Sequence, residues 1–154
     1  MEEFERTFQN AVRNLKIADH MTYVTYPLIN EKRLLLKIFD EIYKSIINSI
    51  NTILNYEYHY KKIQIYKDNK ENLSTFINKS AKRFDLSYEQ IKRILEIIHL
   101  NEKHKQSSME FVKKDRIVIL GDNLSYQILD IQRIKEYLLI AKELLMKTKQ
   151  KIYL

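Results

Sequence analysis

The stretch LLLKIFDEIYKSIINSINTILNYEYHY, Leu34 to Tyr60, decides how the rest of the chain is read. Leu35, Ile38, Phe39, Ile42, Ile46, Ile50, Ile53 and Tyr60 recur with the period of an α-helix, not the strict alternation of a strand. On a helical wheel they fill nearly half of the circumference. Lys37, Lys44, Asn48, Asn51 and Asn55 fill the other side. So wide an apolar arc must touch several neighbours at once, so a helix over about Asn30 to Lys61 is expected to be the central element of a bundle.

The flanking segments supply those neighbours. Upstream, Phe4, Phe8, Ala11, Leu15 and Ala18 form one face of an amphipathic helix that runs to about Thr25. Pro27 has no amide hydrogen and biases Tyr26 away from helical geometry, so a break or kink is expected there. Downstream, KDNKEN (Lys67 to Asn72) reads as a polar loop, and Leu73, Phe76, Ile77, Ala81 and Phe84 as a shorter helix. Ser87 and Gln90 have the spacing of a capping box, opening a helix over about Tyr88 to Lys105 with Ile91, Ile94, Leu95 and Ile98 on one face. The period then changes: MEFVKK and RIVIL are short and rich in β-branched residues, with Gly121 closing the second run. Asp122 is expected to cap a last helix whose Ile128, Ile131, Leu138, Ala141 and Leu145 face inward. Short connections make neighbouring helices antiparallel. The expected fold is a single domain over 1–154, all-α: an up-and-down bundle of four or five helices, with a small β-hairpin or extended arm at about 107–122 between the last two.

Composition removes several chemistries. With no cysteine there is no disulfide, thiolate zinc site or thiol nucleophile. With one glycine, Gly121, the glycine-rich phosphate loops, dinucleotide fingerprints and nucleophile elbows are excluded. RIVILGD, Arg116 to Asp122, resembles a nucleotide-binding strand followed by its aspartate, but there is no phosphate loop to partner it. The N-terminus, MEEFERTF, is acidic, and no apolar run approaches the roughly 18 residues of a membrane span, so a cytoplasmic protein without a membrane partner is expected. A net charge of +7 admits an anionic partner such as RNA, held through a diffuse basic surface, because no run of like charges forms a tail.

Few constellations carry chemistry. EIIH, Glu96 to His99, has the Glu-x-x-His spacing of di-iron bundles, but it occurs once where such a site needs two, and no metal is expected. NYEYHYKK, Asn55 to Lys62, interleaves aromatic and basic residues; on a helix its tyrosines radiate and cover the core, and only if the helix has ended and the segment is extended do they build a platform for bases. Phe111, Val112, Ile117 and Ile119 of the hairpin either cover the bundle or form a binding arm, and an exposed strand edge would invite self-pairing. In RNLKIADH, Arg13 and His20 are about two helical turns apart and point the same way, beside an outer apolar strip of Ile17 and Val24 suited to a dimer interface. RILEIIH holds Arg93 and His99, about 120° apart on a straight helix.

Arginine, four to six residues, then histidine resembles the motif of the HEPN family, compact helical bundles that often dimerise and include metal-independent ribonucleases. Arg93 to His99 resembles it in lying late in the bundle; Arg13 to His20 resembles it in having the polar Asn14 after the arginine. The resemblance implies RNA as substrate and a composite site across a dimer, built from Arg93 and His99 or from Arg13, Asn14 and His20, with no cofactor. Histidine would move the proton of a ribose 2′-hydroxyl and arginine would stabilise the charged phosphorane. The residues alone favour a different class: a self-associating or partner-binding module, meeting a second copy or another protein, without an evident catalytic site.

Overall fold

A computed structural model describes residues 1–107, 109–121 and 125–153. The fold is predominantly helical. α1 (Glu3–His20) runs into a π-helical turn (Met21–Thr25) and the short α2 (Tyr26–Ile29), and α3 (Leu34–His59) is the longest element. α4 (Asn69–Thr75), a second π turn (Phe76–Ser80) and α5 (Ala81–Arg83) make one broken helix. α6 (Tyr88–Gln106) and α7 (Ile131–Ile152) flank three strands, β1 (Met109–Lys113), β2 (Arg116–Leu120) and β3 (Tyr126–Leu129).

α3 is central, as its wide apolar arc requires. Leu35, Ile38, Phe39, Ile42, Ile46 and Ile53 are fully buried in one cluster that also draws on α6, β2, β3 and α7. Removing each side chain from water contributes about 1.5–3 kcal/mol. Along the α1–α3 seam small residues let the backbones approach: the Ser45 hydroxyl donates to the Ala11 carbonyl at 2.9 Å, and the Thr52 hydroxyl donates to that of Thr7 at 2.8 Å. These pairings, with Phe4 against Tyr56, make the two helices antiparallel. Asp19 with Lys142 and Phe8 with Tyr153 set α7 antiparallel to α1, and Gln90 with Glu143 together with Glu96 and Tyr137 set α6 antiparallel to α7. Ser87 and Gln90 form the expected capping box at the start of α6.

Four expectations need correction. Pro27 does not end the first helix near Thr25. The π turn before it carries the Tyr26 amide back to the Met21 carbonyl, five residues away, and helical geometry continues until Asn30 adopts the left-handed conformation at φ 55°. Widening the turn gives room for a proline ring that would otherwise clash with the preceding turn's carbonyl. The second half of KDNKEN is not loop, because Asp68 accepts from the Lys70 amide at 2.9 Å and starts α4 at Asn69. The hairpin is a three-stranded antiparallel sheet, order β1-β2-β3, in which the third strand uses Tyr126–Leu129, although Ile128 also fits the helical period. Asp122 lies outside the described residues, and the cap of α7 is Asp130, whose carboxylate accepts from the Arg133 amide at 2.8 Å.

The sheet packs on its own chain. Ile117, Ile119 and Leu129 point inward and join the core. Alternation then sends Phe111, Val118 and Ile128 to the opposite face, where the register sets them in one row, with Leu120 and Tyr126 in the next.

Candidate functional site

The outer sheet face is a shallow groove of about 500 Å³ lined by Phe111, Val118, Leu120, Tyr126 and Ile128, with Lys113, Lys114 and Arg116 at one end. Strand alternation puts Met109 on the same face and, among the described residues, no carboxylate there. Glu110, the acidic residue of β1, turns to the inner side and meets the His104 ring at the end of α6. Val118, in the middle of the middle strand, is 8% exposed under its apolar neighbours; Tyr126, at the rim, is 60% exposed. Among the described residues Lys113 and Lys114 have no ion-pair partner, and Arg116 has the exposed Asp115 at 3.8 Å. Lys114 sits in the two-residue turn between β1 and β2 at φ 58°, a conformation that favours glycine or asparagine and costs a side chain about 1 kcal/mol. The chain therefore keeps a cation where the backbone prefers none.

Two ionisable groups in the interior, Glu57 and Tyr137, are paired within the chain. Arg83 donates from two guanidinium nitrogens to the buried Glu57, at 2.6 and 2.7 Å. Burial alone pushes the Glu57 carboxyl up, but the Arg83 hydrogen bonds and positive charge outweigh it and hold it below the usual range. The fully buried Tyr137 donates to Glu96 at 2.7 Å and accepts from Arg133 at 2.6 Å, while Arg133 also donates to the Ile128 carbonyl at 2.6 Å. Burial, then the hydrogen bond to Glu96, pushes the Tyr137 phenol well above its ordinary value. That network bolts α6 and α7 to β3 beneath the sheet. A surface cleft of about 900 Å³ runs beside Glu2, Phe4, Tyr58, His59 and Ile65; its histidine faces Glu2 at 3.5 Å and, among the described residues, meets no nucleophile.

Neither arginine–histidine pair converges within the chain. Arg93, on α6, reaches Glu96 at 3.5 Å, whereas His99 is exposed and faces Glu102 at 3.9 Å. Arg13 and His20 are exposed on α1, but Asn14 turns into the α3 seam, donating to Glu41 and accepting from Asn48, both at 3.0 Å. His20 borders a shallow depression with Asp19, Tyr23 and Lys142 that does not include Arg13. The Glu96 carboxylate is taken by Tyr137, and among the described residues no group of three or more histidine, aspartate or glutamate side chains is placed to hold a metal ion. Of the tyrosines in NYEYHYKK, Tyr56 packs against Phe4 and Phe84, and Tyr58 and Tyr60 lie exposed.

Sequence reasoning overlooked the outer-face set of Val118, Leu120, Tyr126, Ile128, Lys113, Lys114 and Arg116. The signal is present in MEFVK, where Met109, Phe111 and Lys113 alternate with Glu110 and Val112, and in YQIL, where Tyr126 and Ile128 alternate with Gln127 and Leu129. Among the described residues no helix is long and apolar enough to cross a membrane. No family model and no curated protein matches the chain.

Proposed function

We propose that the protein is a binding module without a catalytic site of its own, whose working surface is the outer face of the three-stranded sheet and whose partner is anionic. One observation carries this: the face gathers large apolar side chains beside three cations and, among the described residues, no carboxylate, while the bundle's buried charges are matched internally. Contiguous apolar surface left open on a folded chain marks a contact site, and a rim whose three cations face, among the described residues, a single carboxylate, Asp115 beside Arg116, selects the sign of the partner. The test is chemical-shift mapping with inorganic polyphosphate at low salt. Perturbations are expected to centre on Lys113, Lys114, Arg116 and their cross-strand neighbours. Shifts centred on another surface, or none, would remove the sheet face as the anion site.

Self-association is a second reading, favoured by an exposed strip at the end of the first helical run and along α7. Val24 and Leu28 are 43% and 81% exposed, and the Tyr23 ring beside them is flanked by Lys135 and Lys142 of α7, whose stripe continues with exposed Leu139 and Met146. A second copy covering this strip would be seen as a dimer by sedimentation at micromolar concentration. The HEPN-like ribonuclease, with Arg93 and His99 or Arg13, Asn14 and His20 completed by a second chain, also requires a dimer, through whichever of these helices carries the site. It also requires RNA cleavage without added metal that disappears in His99→Ala or His20→Ala.

A further inference from the structure

We infer that the ligand of the outer sheet face is a single strand of nucleic acid, with bases laid on Phe111 and Tyr126 and phosphates held by Lys113, Lys114 and Arg116. This rests on the sheet face being the anion-binding surface.

The argument is one of matching chemistry. Three kinds of partner carry negative charge or apolar surface enough for the groove. An acidic peptide offers carboxylates to the cations, but a flat ring for the aromatics only where an aromatic residue happens to fall beside them. A second copy meeting this face with its own would bring the same patch to itself, setting six cations in one interface against, among the described residues, only the two Asp115 carboxylates of the turns. Nucleic acid alone supplies planar apolar rings and a regular anion in the same repeating unit.

Spacing then separates single strand from duplex. Phe111 lies on β1 and Tyr126 on β3, two strands apart and offset by one same-face position, since Phe111 pairs with Val118 and Tyr126 with Leu120. At the usual strand spacing and rise their Cα atoms are about 12 Å apart. Bases in a duplex stack at about 3.4 Å along each strand, so no stacked pair of them reaches both rings. A single strand can splay its bases to do so. Lys113 follows Phe111 by one same-face position, and Arg116 pairs with it across the hairpin, so a cation stands beside the first ring. Because stacking uses a ring face that every base has, little sequence preference is expected.

The experiment is fluorescence anisotropy with labelled oligouridylate and oligothymidylate of about 12 nucleotides, within the range that one small fold covers. A duplex and an oligoglutamate of similar length serve as comparators. Either single strand is expected to bind more tightly than both comparators, with affinity falling steeply as salt rises. Tyr126→Leu should weaken binding about 5-fold or more, and Tyr126→Phe should retain it. Replacing Lys113 and Arg116 together by glutamine should flatten the logarithmic salt dependence by about 1.4, at about 0.7 for each phosphate no longer neutralised. Tyr126 is largely exposed, so its variants test contact rather than folding. Parent-like binding by Tyr126→Leu, or equal binding of duplex or oligoglutamate, would overturn the inference. If polyphosphate maps to the sheet while neither oligonucleotide binds, the single-strand inference falls and the anion surface stands; if polyphosphate maps elsewhere, the underlying reading falls first.

Discussion

Glu57 and Lys113 carry opposite charges in opposite settings. Glu57 is 1% exposed and held by two hydrogen bonds from Arg83, so its charge serves to join α3 to α5. Lys113 stands at the end of an apolar groove with no ion-pair partner among the described residues. The same contrast separates the Tyr137 network from the sheet above it: beneath β3 the polar groups satisfy each other, and on its outer side apolar rows and cations face water. Burial without a partner is costly, so the interior had to be closed, whereas an open cationic groove brings the fold no comparable gain and is explained by what it meets.

If the interior is structural, breaking it should cost stability first. Tyr137→Ala removes a fully buried ring and is expected to destabilise by about 3–5 kcal/mol, read as a lower denaturant midpoint. Tyr137→Phe keeps the ring but leaves Glu96 and Arg133 short of a partner, for about 1–3 kcal/mol. Because the phenol ionises at higher pH when folded, its contribution is complete below the ordinary value of 10 and is lost as pH rises through the raised one. The phenylalanine variant should lose that part of the alkaline decline.

Glu57→Gln comes next, at about 1–3 kcal/mol, less than a fully sealed ion pair because the Arg83 side chain is 40% exposed. The folded carboxyl ionises at lower pH than its ordinary value of 4.5. Its stabilisation is therefore fully present above that value and drains as pH falls through the lower folded one. Acid titration of parent and variant, followed by circular dichroism, should converge at low pH. Parallel curves would mean that Glu57 is not ionised in the fold.

The sheet should behave in the reverse way. Lys114→Gly relieves a left-handed residue and is expected to raise stability by about 0.5–1 kcal/mol while weakening polyphosphate binding. If binding were unchanged, the turn cation would be part of the scaffold and the contrast between the two regions would blur. The smallest effects are expected for His99→Ala and His20→Ala, within about 0.5 kcal/mol, because both rings are exposed.

The sequence makes the helices legible wherever period and cap agree. α3 follows its wide arc, α6 its capping box, and Ile17 and Val24, an outer strip by their spacing, lie 40% and 43% exposed. β3 is illegible because Ile128 and Ile131 share the three-residue spacing of a helix, and only Asp130, between them, marks the boundary. Tyr137 and Glu96 escape notice because their partnership joins residues 41 positions apart. The outer groove has the same origin: each strand shows two or three of its residues, and the face exists only once the register brings three strands together.

The two π turns have a consequence for recognising relatives of this chain. Each holds one residue more than an α-helical turn would, with Thr22 in the first bonded to Ala18 and the buried Ser80 in the second. A homologue with unbroken helices in these places would be shorter by a residue at each. Its alignment would show two isolated gaps inside helices, near 21–25 and 76–80, and searches that penalise gaps there would undervalue the kinship.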